Sequence, residues 1–279
     1  MTAVLLALAA SLTWGFGDFG AGFGARRVHV IAVAATVQTA GLLFAGVVAL
    51  VLRPSPPSAG QFAWAALAGV LGVVGLSAFY QALAIGAMGI VGPLTATAAI
   101  VPVAYGLARG ERPSTLQGLG LALAVVGVAA ASLEPLPEGR GRRLGTGVGL
   151  ALFAALAFGC SLIGLSKAAP GGSAWAVLTM RLAAVPILLA AVFLLKALGP
   201  ASRRMWLLLT GAGFADTGAT LLYGVATTKG LLSVVAVLSS LYPIVLVVLA
   251  RVLLHERVAP PQLAGVAIAL SGVALISAG

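Results

Sequence analysis

The sequence predicts an all-α integral membrane protein of ten transmembrane helices, arranged as two inverted five-helix repeats. Three observations carry this. Of the 279 residues, 61% are hydrophobic and 8% are charged, where a soluble domain has roughly 45–50% and about 25%. The apolar residues fall into ten runs long enough to cross a hydrocarbon core of roughly 30 Å. Motifs of the first half also recur in the second at a nearly constant spacing.

In order, the runs are 2–24, 29–52, 61–85, 89–108, 114–133, 146–167, 173–195, 205–227, 231–250 and 261–278. Polar or helix-breaking segments separate them: Arg26-Arg27, Arg53 to Pro57, Gly86 to Gly89, Arg109 to Pro113, Glu134 to Arg143, Lys167 to Gly172, Lys196 to Arg204, Lys229-Gly230 and Arg251 to Pro261. The first run lacks a basic leader and continues through Trp14, Gly15 and Asp18 to Ala25, so it reads as a span and not as a cleavable signal. Strands of a membrane barrel would alternate polar and apolar residues over about ten positions, and that alternation is absent.

Two units follow, 1–133 and 146–279, joined by a basic linker at 134–145. Pro102 in span four and Pro243 in span nine lie 141 positions apart. Glu111/Glu256, Gln117/Gln262, Gly120/Gly265 and Gly127/Gly272 lie 145 apart, and Trp14-Gly15 matches Phe158-Gly159 at 144. Five helices is an odd number, so the second repeat must sit upside down relative to the first. Such repeats are typical of transporters whose site lies near the midplane at the repeat interface.

The net charge of +10 sits in loops beside the apolar runs, which excludes a nucleic-acid footprint and points to the lipid bilayer. The single Cys160 rules out an internal disulfide, and His29 and His255 are too far apart to suggest a His/Cys metal site. No Gly-x4-Gly-Lys-Ser/Thr phosphate loop occurs. Neither a cofactor nor ATP is therefore expected, and a gradient must supply the energy.

The Trp-Gly near the start, the prolines of spans four and nine and the paired Glu-Arg … Gln … Gly … Gly endings resemble the drug/metabolite transporter superfamily. More narrowly they resemble its ten-helix EamA-type members, over essentially the whole chain. The resemblance implies a carrier exporting small metabolites, amino acids or drugs through a cavity built from spans one, three, four, six, eight and nine. It also implies an Arg in the second helix of each repeat. Arg181 supplies one in span seven, whereas span two has Gln38 near that place.

Sorting loop charges gives ten basic residues on one side (Arg26, Arg27, Arg140, Arg142, Arg143, Lys196, Arg203, Arg204, Arg251, Arg257). Five lie on the other (Arg53, Arg109, Arg112, Lys167, Lys229). The positive-inside rule places the first set in the cytoplasm and both termini outside the plasma (inner) membrane. The resemblance more often implies cytoplasmic termini.

A charge at the centre of a span costs about 2.5–3.5 kcal/mol on insertion scales, which marks Asp18, Arg181 and Asp216 as candidates for mechanism. Asp216 reads as a proton-coupling or cation-binding carboxylate, or as the ion-pair partner of Arg181. Asp18 reads as a cavity acid, or as a hydrated carboxylate near Arg26 and Arg27. Arg181 would suit an anionic cargo if open to the cavity, and Gln38 suits an interhelical hydrogen bond. Trp14, Tyr80, Tyr105, Tyr223 and Tyr242 lie in the spans the resemblance assigns to the cavity, where their rings would suit an organic cargo. Ser239 and Ser240 precede the Pro243 break, and Pro102 and Pro243 are candidate hinges. Glu111 and Glu256 are expected at the positive ends of helix dipoles. Substrate and protons are the expected partners, in a monomer or homodimer. Two other readings are an intramembrane aspartyl protease using Asp18 and Asp216, and a passive channel, which would need a more continuous polar lining.

Overall fold

The computed structural model describes residues 1–54, 56–85, 91, 94–131, 141–199, 201–254 and 260–278. Its helices are α1 (Thr2–Ala25), α2 (Val30–Leu52), α3 (Ala59–Ile85), α4 (Ile100–Ala108), α5 (Thr115–Ala131) and α6 (Gly141–Ala168). These are followed by α7 (Ser173–Leu194), α8 (Arg203–Thr227), α9 (Leu232–Ser239), α10 (Tyr242–Leu254) and α11 (Pro260–Ala278). A 3₁₀ turn, Thr97–Ala99, leads into α4. Spans four and nine are thus the interrupted ones, and no strand occurs among the described residues.

Local chemistry sets the helix starts. His29 Nδ1 accepts from the Ile31 amide ahead of α2. Ser58 and Gln61 exchange side-chain and backbone hydrogen bonds, a capping box that starts α3 two residues before the apolar run. Ser114 and Gln117 form the same box before α5. Ser202 Oγ accepts from the Met205 amide, so α8 begins at Arg203. The linker region also ends early, since α6 begins at Gly141.

Five described helices are long and apolar enough to cross a membrane: Thr2–Ala25, Val30–Leu52, Ala59–Ile85, Gly147–Gly171 and Ser173–Leu194. Shorter apolar helices cover Leu94–Ala108, Thr115–Gly127, Leu232–Val245 and Ala267–Ile276. The helix Arg203–Thr227 has the length, at 25 residues, but carries Asp216 and several threonines in its middle.

Packing runs between the halves. The most extensive pairings are α5 with α11, α3 with α6 and α1 with α8, followed by α2 with α7 and α8. Spans five and ten, two and seven, and four and nine are equivalent helices meeting each other. Spans one and eight form one cross-pair, and six and three form its image. Small residues allow these approaches, because lipid supplies no hydrophobic drive and close van der Waals contact must do the work. A Cβ on Gly127 would lie 2.6 Å from Ala269 Cα, and one on Gly120 would lie 2.7 Å from the Gly272 carbonyl oxygen.

The two interruptions are built alike. Ser240 and Leu241 separate α9 from α10, and Pro243 lies in the first turn of α10 without an amide to offer the Ser239 carbonyl. In the first repeat the 3₁₀ turn precedes Pro102, which leaves the Ala98 carbonyl in the same position. Each break is approached by a glycine of the other half. A Cβ on Gly15 would come 3.1 Å from the Tyr242 carbonyl oxygen, and one on Gly159 would come 2.7 Å from that of Ala98. The repeated Trp-Gly/Phe-Gly motif is thus the seat for the broken helix of the opposite repeat.

On the side of the termini the helices close on one another. Trp175 Nε1 donates to the Pro54 carbonyl at 2.9 Å, and all of α9 is buried. Glu111, in the loop between spans four and five, accepts from the amides of Leu232 at 2.7 Å and Ser233 at 3.0 Å. It therefore sits at a helix N-terminus, as its charge favours. The helix is α9 of the other repeat, however, and not the α5 that follows it in sequence. Glu256 lies outside the described residues.

Candidate functional site

Between the two halves lies a central cavity of about 840 Å³, counting the part that opens outward. Its wall is mostly apolar, with Leu76, Phe79, Phe158, Leu162, Leu165 and Met180 prominent. Among the described residues, the charged side chains that line it are Asp18, Arg181 and Asp216.

Four of the polar groups form one assembly, the buried Gln38, Arg181 and Thr220 with the partly buried Asp216. Arg181 Nη2 is 2.8 Å from Asp216 Oδ2 and also donates to Thr220 Oγ1 at 3.2 Å. Thr220 Oγ1 in turn donates to the Asp216 carbonyl at 2.7 Å, which fixes the hydroxyl one turn beyond the acid. Arg181 Nη1 donates to Gln38 Oε1, while its Nε is buried without a hydrogen-bond partner among the described residues. Gly41 makes room for this group, since a Cβ there would press on Thr217 Oγ1 and lie 3.4 Å from Arg181 Nε.

Gln38 and Arg181 are 143 positions apart, within the repeat spacing, so equivalent residues of the two halves meet face to face. The glutamine that stands where the resemblance implies a second arginine is thus an acceptor for the first. A second guanidinium at position 38 would oppose the first in a buried setting, whereas the Gln38 amide oxygen accepts from it.

Asp18 also faces the cavity, partly buried. Among the described residues it has no hydrogen-bond or ion-pair partner. Arg27 does not reach it: the Arg27 guanidinium turns back on its own helix, 3.8 Å from the Phe23 ring centroid, and Nη1 donates to the Phe23 carbonyl at 3.3 Å.

Trp14, Gln38, Ser239, Ser240 and Tyr242 join Asp18, Arg181 and Asp216 on the cavity wall. Three tyrosines stand elsewhere. Tyr80 is buried in the core with its ring 5.9 Å from Phe79. Tyr223 is fully buried behind Trp14, with ring centroids 5.8 Å apart. Tyr105 lies under Lys167 Nζ at 5.2 Å, towards the termini side. Pro102 and Pro243 are buried at the breaks and stand behind the wall. Lining residues absent from the sequence-based set include Thr95, Phe158, Ser161 and Thr220. Two of these had a signal: Phe158 is the repeat image of Trp14, and Thr220 is one helical turn from Asp216.

A family model described as the EamA-like transporter family matches residues 1–133 and again residues 145–278. A search of curated proteins returned no match at its significance limit. A solved structure described as "Crystal structure of protein" superposes with a TM-score of 0.79 at 17% identity, over 98% of this chain and 95% of that one. At that identity the likeness speaks for the fold alone.

Proposed function

The chain belongs to the EamA-like transporter family, and from that premise we propose a secondary-active exporter of small organic molecules working by alternating access. Membership itself makes it a membrane transporter of the drug/metabolite transporter superfamily. One observation supports the finer reading: a cavity between inverted repeats, lined by equivalent positions of both, beside which one helix of each half is interrupted. Irregular backbone at membrane depth is tolerated where it lines such a cavity. Rocking of the halves about Pro102 and Pro243 would expose it alternately to the two sides.

Of the two acids, Asp216 is occupied by Arg181. The proposed coupling therefore involves either that pair, loosened and re-formed, or Asp18. In proteoliposomes, export of a panel of cationic, zwitterionic and anionic metabolites is expected to respond to an imposed pH gradient. If Asp216→Asn keeps the gradient response and Asp18→Asn loses it, coupling belongs to Asp18; the converse assigns it to the pair. Flux that ignores the gradient in the wild type would remove protons from the mechanism.

The protease reading loses its premise in the family membership. Asp216 is also bound to Arg181, where a dyad would have two aspartates hold one proton between them. For orientation we propose the ten-charge side in the cytoplasm of a plasma (inner) membrane. A reporter fused to the C-terminus is expected to be active outside, and cytoplasmic activity would overturn this.

A further inference from the structure

The charges on the cavity wall do not cancel. Arg181 and Asp216 neutralise one another, and the guanidinium's Nη groups are already taken by Gln38, Thr220 and Asp216. That leaves little of Arg181 for a carboxylate or phosphate cargo. Asp18 is the carboxyl group left on this wall without a hydrogen-bond or ion-pair partner among the described residues, beside an apolar surface. Such a site disfavours anions and rewards a cation that brings its own apolar surface.

The repeat supplies a second, independent argument. At the spacing of 144 that aligns Trp14 with Phe158, Asp18 corresponds to Leu162, and both line the cavity. The same backbone slot is therefore filled by leucine in the other half, so packing does not call for an acid there. The rings of Trp14, Phe79, Phe158 and Tyr242 share the wall, and aromatic faces attract cations as well as apolar bodies.

We propose that Asp18 is the counter-ion for an organic cation in this cavity, so that the cargo class is an amine- or quaternary-ammonium-bearing molecule with an aromatic or aliphatic body. The proposal rests on the transporter reading above.

The test compares two ions of nearly equal shape and opposite charge, tetraphenylphosphonium and tetraphenylborate. Binding is measured by calorimetry on the purified full chain in detergent, with empty micelles as the blank. Wild-type protein is expected to bind the phosphonium and to discriminate against the borate. Asp18→Asn should weaken phosphonium binding by about tenfold or more, as expected when one partner of a desolvated charge pair is removed. Asp18→Glu, which keeps the charge, should retain most of it and shows that any loss is not misfolding.

Equal phosphonium binding by wild type and Asp18→Asn, preference for the borate, or no binding of either ion would overturn the proposal. Failure of the underlying reading looks different. Wild-type proteoliposomes would then move no member of the metabolite panel, whatever the phosphonium does. Export of zwitterions or anions without phosphonium binding would remove the cation assignment and leave the transporter standing.

Discussion

The two repeats agree in their packing and differ in their cavity chemistry. Gly15 and Gly159 seat the opposite broken helix in the same way, and Pro102 and Pro243 follow interruptions in corresponding places. On the wall, Asp216, Thr220 and the pair Ser239-Ser240 stand where the first repeat has Gly72, Leu76 and Ala98-Ala99, and all of these line the cavity. Backbone approach is constrained equally on both sides of the pseudo-two-fold axis, so its residues repeat. A cargo that is not itself two-fold symmetric has no use for a symmetric lining. The symmetry belongs to the fold, and departures from it mark the site.

The comparison breaks most severely at Arg181. Arg181→Met leaves the partly buried Asp216 without its partner, and up to about 3 kcal/mol of stability should be lost, read by SDS-titration unfolding. Adding Asp216→Asn should restore a large part of it, and a strictly additive double variant would show that the two do not act as a pair. Restoring the symmetry of span two with Gln38→Arg should cost about 2–3 kcal/mol in the same assay, because an acceptor is lost and a second buried cation gained. If the variant is as stable as wild type, the face-to-face placement of positions 38 and 181 is not the reason for the glutamine.

A smaller effect is expected where packing is conserved. Gly127→Ala forces a Cβ against Ala269 and should cost about 1–3 kcal/mol. Gly46→Ala, which meets nothing within 4 Å, serves as the neutral control. The smallest effect is assigned to Glu111→Gln, about 1 kcal/mol for a weakened helix cap. It should be visible as faster hydrogen exchange at the Leu232 and Ser233 amides.

The spans, the repeat and both proline breaks were legible in the sequence because hydrophobic length and motif spacing are one-dimensional signals. Which face of each helix meets the cavity was not. These helices are apolar nearly all round, so no polar stripe separates a lining residue from a core one. The sequence accordingly groups Tyr80 and Tyr223 with Tyr242, although of the three only Tyr242 lines the cavity. Asp18 and Asp216 were picked out by charge alone, and that signal survives the lack of a face. The Glu111 partner was hidden for another reason. A cap is expected on the helix next in sequence, whereas this one crosses 121 positions to reach Leu232.

The pairing of spans five and ten has a consequence for how the chain is made. Gly120 and Gly127 present a surface that span ten fills, through Gly272 and Ala269. Ribosomal synthesis delivers that helix after the nine spans before it. Spans one and three likewise wait for spans eight and six. The amino-terminal half enters the bilayer with its interfaces unfilled, and lateral assembly of the ten spans is completed only once the tenth has been made.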